Sequence, residues 1–143
     1  HAPHRGGLLP EVLPVKSVSS MRQDESRLQM ACVKWFRMQY PQHRKLLFSV
    51  PNGGYRNLAT AKRMKLEGVV AGVSDLILLI PSHDFHGLCI EMKTPKGRQT
   101  DHQKAWQSHV EEKGYIYALA RSVEEFQNIV SDYLNQHTNS RTP

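Results

Sequence analysis

The sequence has little cysteine and no long apolar run, and each shortage removes a class of protein. Two cysteines occur, Cys32 and Cys89. Neither belongs to a CxxC or Cys/His cluster, which argues against a disulfide scaffold and against structural zinc. Each sits in an apolar pattern, one helical and one strand-like, as buried thiols in a reducing cytosol do. No segment approaches the roughly 20 consecutive apolar residues of a membrane span. The opening HAPHRGGLLPEVLPV lacks a signal-peptide pattern. Internal repeats are absent. His43, His83, His86, His102 and His109 show no HxxxH or HxH spacing, which leaves His102 as the one imidazole considered for general-base chemistry. No local signature supports a Ser-His-Asp hydrolase triad.

What is present suits one domain. The chain has 143 residues with 39% hydrophobic and 22% charged content, enough for a single core and too apolar for wholesale disorder. Nineteen Lys and Arg against 13 Asp and Glu give a net charge of +6. That balance favours a polyanionic partner such as nucleic acid.

Residues 1–19 read as a loosely attached, Gly/Pro-rich arm, residues 20–136 as the folded domain and residues 137–143 as a polar tail. Ser20-x-x-Gln23 reads as a capping box opening a helix from about Met21 to Tyr40, stopped by Pro41. At 100° per residue Met21, Glu25, Leu28, Cys32 and Phe36 share one stripe. Glu25 therefore lies inside an apolar face, an expensive place for an ion. A short strand at 46–50 leads into the loop PNGGYRN, and a second helix is expected over Leu58 to Glu67, ended by Gly68. SDLILLI (74–80) and GLCIEMK (87–93) flank a turn and read as a hairpin. Thr100-x-x-Gln103 caps a helix to about Lys113, YIYALA (115–120) is a strand, and Ser122-x-x-Glu125 opens the last helix. An antiparallel hairpin beside a helical crossover predicts an α/β domain with a mixed central β-sheet flanked by α-helices.

The hairpin carries the chemistry. Asp75 lies nine residues before the centre of the turn segment and Lys93 nine after it, so the two come opposite one another, give or take two residues. Glu91 and Lys93 are two apart and project from the same face. Asp75, Glu91 and Lys93 can thus converge at one end of the hairpin. Two carboxylates beside a lysine suit a hard divalent cation, Mg²⁺ or Mn²⁺, with the lysine stabilising charge on a phosphorane-like transition state. Ion pairs at strand ends are also common in purely structural roles. Three features favour the metal reading: the charges end apolar strands, Gly72 permits close approach of another backbone, and Glu25 offers a third carboxylate.

Together these residues make the chain resemble a stand-alone VRR-NUC domain of the PD-(D/E)XK nuclease superfamily, with a restriction-endonuclease-like core. The resemblance rests on DESRLQMACVKWF (24–36), PNGGYRN (51–57), KLEGVVAGVSDL (65–76), HGLCIEMKTPKGRQTDHQKAW (86–106) and GYIYALARSVEEF (114–126). Ser74 stands where the superfamily name has proline. The resemblance implies a divalent-metal-dependent DNA endonuclease in the cytoplasm of a bacterial or phage-infected cell. It makes Asp75 and Glu91 metal ligands with the Met92 carbonyl as a third, Lys93 the catalytic lysine, and Glu25 the first-helix acid close to the metal. It also brings Gln103 near the site, although the capping box alone explains that residue. By analogy with small resolvases it implies a homodimer acting on Holliday junctions or flaps. Phosphate contacts are expected from Lys62, Arg63, Lys65, Lys96, Arg98 and Arg56, and from the backbone amides at Asn52 and Gly53. A sequence-specific restriction-type nuclease and a non-catalytic DNA-binding protein retaining the fold are the alternatives.

Overall fold

The computed structural model describes residues 18–51 and 56–139. The elements run α1 (Val18–Gln39), a 3₁₀ turn (Pro41–His43), β1 (Leu47–Ser49), α2 (Leu58–Leu66), β2 (Leu76–Leu78), β3 (Leu88–Met92), α3 (Asp101–Glu112), β4 (Ile116–Ala120) and α4 (Val123–Asn139). The strands form one mixed sheet in the order β1-β2-β3-β4. Both β1 and β3 pair antiparallel with β2, and β4 runs parallel to β3. The parallel β3–β4 step crosses over through α3, as a parallel neighbour requires, while α2 lies in the longer connection between the antiparallel β1 and β2. This is the α/β fold expected from the sequence.

Alternation along the strands sorts residues between two faces. Leu76, Leu78, Leu88, Ile90 and Met92 join Cys32 and Phe36 of α1 and Phe126, Val130 and Tyr133 of α4 in one apolar core. Trp35 packs edge-on against Phe126, their centroids 6.1 Å apart. On the opposite face, Cys89, Glu91 and Tyr117 look toward α3, whose Trp106 meets the Tyr117 ring at 6.2 Å. Burying each large apolar side chain contributes about 2 kcal/mol, so the apolar face can offset the cost of an acid held on the other.

The helix boundaries show which local signals hold. Thr100 and Gln103 form a complete capping box, and Gly68 and Gly114 end helices at φ of 106° and 87°. By contrast, α1 already begins at Val18, so Ser20 and Gln23 lie within the helix and do not open it. At Ser122 the box is shifted. Glu125 N–H donates to Ser122 Oγ at 3.1 Å, but the Glu125 carboxylate accepts from Arg121 N–H at 2.7 Å and not from Ser122. The strand expected over 74–80 is regular only from Leu76 to Leu78, which leaves Asp75 one residue before it, its carbonyl accepting from Val50 N–H at 2.9 Å. Among the described residues no helix is long and apolar enough to cross a membrane. Asn52 and Gly53, expected to meet phosphate, lie outside the described residues, as do 1–17 and 140–143.

Candidate active site

Register brings the acids together. Leu76 pairs with Ile90 and Leu78 with Leu88, and one further step sets Asp75 opposite Glu91. The sequence places Asp75 opposite Lys93, two positions on. A shift of two preserves side-chain parity, so all three residues keep to one face. The Asp75 and Glu91 carboxyls are in side-chain hydrogen-bond contact, with the Lys93 charge beside Glu91. Asp75 is anchored by its other neighbour, since Met92 N–H donates to Asp75 Oδ2 at 2.7 Å.

Glu91 is the most constrained group. It is 2% exposed, on a strand buried throughout its length. Burial first, then the adjoining Asp75 carboxyl, push its pKa from 4.5 up to about 9, while Lys93 and the Tyr117 hydroxyl pull it down. Its oxygens are held by two donors. Gln103 Nε2–H donates to Oε1 at 2.9 Å, and the Tyr117 hydroxyl donates to Oε2 at 3.4 Å. A relay continues outward through α3. Gln99 Nε2–H donates to the Tyr117 oxygen at 3.0 Å and to Gln107 Oε1 at 2.9 Å, and Gln107 Nε2–H donates to Glu111 at 2.7 Å.

Gln103 performs both tasks considered for it. Its Oε1 accepts Thr100 N–H at 2.9 Å, closing the capping box, while its amide N–H₂ reaches Glu91. One amide can do both because it carries an acceptor and donors on opposite sides. What aims it is Gly72, at φ +85°, where a Cβ would overlap the main-chain carbonyl of His102. The close backbone approach allowed by that glycine is thus with the first turn of α3. The same contact ties the segment before Asp75 to the helix that carries Gln103.

Glu25 approaches this group from α1, near enough for the Asp75 and Lys93 charges to act on its carboxyl. It lies on α1, which packs on the other face of the sheet, and it reaches the end of β3, where Thr94 N–H donates to its carboxylate. Desolvation first, and then the Asp75 charge, raise its pKa, opposed mainly by the Lys93 charge. Among the described residues no three His, Cys, Asp or Glu side chains come close enough together to hold a metal ion. Two carboxyls meet here, and Glu25 lines the same cleft as Asp75 and Met92. Lys93 is 8% exposed and runs past Gly97, where a Cβ would sit 3.4 Å from Lys93 Cδ.

The loop after Lys93 is held from β4's end. Arg121 Nη1–H donates to the carbonyls of Thr94, Pro95 and Gly97 at 2.8, 3.3 and 2.6 Å. Lys96 and Arg98 are exposed on this loop. The α2 cations are placed elsewhere. Arg63 pairs with Glu67 at 3.2 Å on an exposed face, and Lys62 and Lys65 are likewise exposed. Arg56 lines a separate small cleft with Val50, Met64 and Val69. Cations that do share a cleft with Asp75 come from α1 and the turn after it. Arg22, Lys34, Arg37 and Arg44 line an open cleft of about 900 Å³ that also contains Glu25, Asp75 and Met92. A helical wheel of residues 22–38 carries that signal, because Arg22, Ser26, Gln29, Val33 and Arg37 recur on one face.

The profile of the VRR-NUC domain family matches residues 14–124. The chain belongs to the VRR-NUC family. A solved structure described as a VRR_NUC domain protein superposes with a TM-score of 0.67 at 26% identity, over 78% of this chain and 88% of the other. No curated protein sequence matches. This VRR-NUC domain therefore has a nuclease-type fold, with Asp75, Glu91 and Lys93 gathered at the end of its central hairpin. Here Asp75 lies one residue before the short β2, in contact with Glu91 and in the lining of the α1 cleft.

Proposed function

We propose that this VRR-NUC domain is a divalent-metal-dependent DNA endonuclease that hydrolyses phosphodiester bonds in branched DNA, four-way junctions or flaps, and that it works as a homodimer. The observation that carries the reading is the contact between two carboxyls, one of them buried, with a lysine at their side. Such a pair is unfavourable on its own, because like charges in a poorly hydrated site cannot both ionise cheaply. Mg²⁺ or Mn²⁺ fits that donor set. Asp75, Glu91 and the Met92 carbonyl supply hard oxygens, and a doubly charged ion replaces the proton that Glu91 otherwise keeps.

A divalent ion bound there supplies Lewis-acid polarisation of the scissile phosphate. The remaining work falls to the chain. Lys93 stabilises the charge that builds on a phosphate oxygen as water adds to phosphorus and the ester oxygen departs with its bonding pair. Gln103 and Tyr117 hold Glu91 in one orientation, so little reorganisation is needed. Lys96 and Arg98, directly after the motif, neutralise phosphates flanking the site without reading sequence. A two-fold dimer would present two such sites to a junction of matching symmetry.

The test is cleavage of labelled four-way junctions, flaps, nicked, single-stranded and duplex DNAs with Mg²⁺ or Mn²⁺, with EDTA controls. Asp75→Asn should abolish cleavage while the far-UV spectrum and most DNA binding persist. Undiminished cleavage by that variant would refute the assignment.

A further inference from the structure

The cleft along α1 has a composition that the hydrolytic site does not account for. Its two acids, Glu25 and Asp75, belong to the hydrolytic end; Arg22 lies one helical turn from Glu25, and Lys34 and Arg37 follow farther along α1 with Arg44 beyond its end. From Arg22 to Arg37 the helix advances roughly 22 Å, several times the reach of one phosphate contact. Two large apolar side chains sit among these cations. Met30 is 60% exposed and Met38 74% exposed, both in the lining.

We infer that this cleft binds an unpaired DNA strand, with its phosphates on the four cations and its bases over the two methionines. The inference rests on the nuclease reading above and names the part of the substrate that α1 receives. Charge complementarity favours a polyanion and does not by itself choose between duplex and single strand. The methionines make that choice. A duplex keeps its bases stacked and offers this wall only phosphate and sugar, for which cations suffice. An unpaired strand offers base faces, and a flexible, polarisable thioether covers such irregular apolar surfaces well. The α2 cations make the contrast, since none of Lys62, Arg63 and Lys65 lines this cleft and Arg63 is tied to Glu67. A strand laid along α1 passes Asp75, which lines the same cleft, so the cut would fall where an unpaired arm meets the duplex.

The experiment measures binding, so it does not depend on cleavage. Fluorescence anisotropy in EDTA compares a blunt duplex with the same duplex carrying a single-stranded tail. Wild type should bind the tailed DNA more tightly. Lys34→Ala with Arg37→Ala should weaken tailed binding about tenfold and lower its salt slope by about 1.4, with blunt binding changing far less. Met30→Ser with Met38→Ser should weaken tailed binding about fivefold at an unaltered salt slope. Both pairs are at the surface, and circular dichroism checks the fold. Equal losses on blunt and tailed DNA would overturn the inference in favour of a duplex track, and no loss on either would overturn it outright. Failure of the nuclease reading would appear separately, as absence of cleavage by wild type with Mg²⁺ or Mn²⁺.

Discussion

Replacing Glu91 with glutamine should make the metal-free protein less sensitive to pH. The folded state holds a proton on Glu91 that the unfolded chain releases above its ordinary pKa of 4.5, since burial and Asp75 raise the folded value to about 9. Folding is therefore favoured by this group below pH 4.5, and that advantage is lost progressively as the pH rises toward 9. Between pH 5 and pH 8 the loss amounts to roughly 4 kcal/mol as a ceiling, at about 1.36 kcal/mol per pH unit. Water entering the open cleft at Asp75 screens part of it, leaving about 2 kcal/mol. The substituted amide would stay neutral at every pH while still accepting from Gln103, so Glu91→Gln removes the titration and keeps the shape. Urea unfolding in EDTA at pH 5 and pH 8 measures the effect. Wild type should lose about 2 kcal/mol more stability between the two than Glu91→Gln. Parallel pH dependence of the two proteins would refute the reasoning, because it would mean that Glu91 is already ionised in the folded state.

Three further outcomes are expected. Gly72→Ala drives a Cβ into the His102 carbonyl at a positive φ; it should cost about 3 kcal/mol in thermal or urea unfolding, and an unchanged midpoint would show that α3 yields freely. Arg121→Met removes a guanidinium shared by the carbonyls of Thr94, Pro95 and Gly97. Stability should fall by about 1 kcal/mol, and amide exchange should rise across residues 94–98, whereas unchanged exchange there would contradict the clamp. Cys32 and Cys89 are buried, with burial pushing both thiols up to about 11. A disulfide reagent at pH 8 should label them at the rate of global unfolding, and rapid labelling in native buffer would show that the thiols are accessible.

Much of this site is legible in the sequence, for a local reason. Strand residues two apart share a face, and a hairpin slip of two residues preserves that parity. Asp75, Glu91 and Lys93 therefore meet whether the partner of Asp75 is Lys93 or, as found, Glu91. Gln103 is legible as a cap, because Thr100-x-x-Gln103 is a local pattern. Its second bond to Glu91 is not, since that bond depends on how closely α3 settles on Gly72. The basic residues divide the same way. Clustering along the chain points to Lys62, Arg63 and Lys65, whereas the cleft at Asp75 is lined from α1 and Arg44.

From sequence alone follow the element order, the mixed sheet and the side of the hairpin on which the charged residues lie, because periodicity and turn chemistry act over a few neighbouring residues. Tertiary packing decided that Glu25 accepts from Thr94 and shares a cleft with Asp75, that Gln103 reaches Glu91, and that α1 walls the cleft. Those outcomes depend on which helix lies against which face and how near, distances set by the whole core at once and encoded in no single stretch of chain.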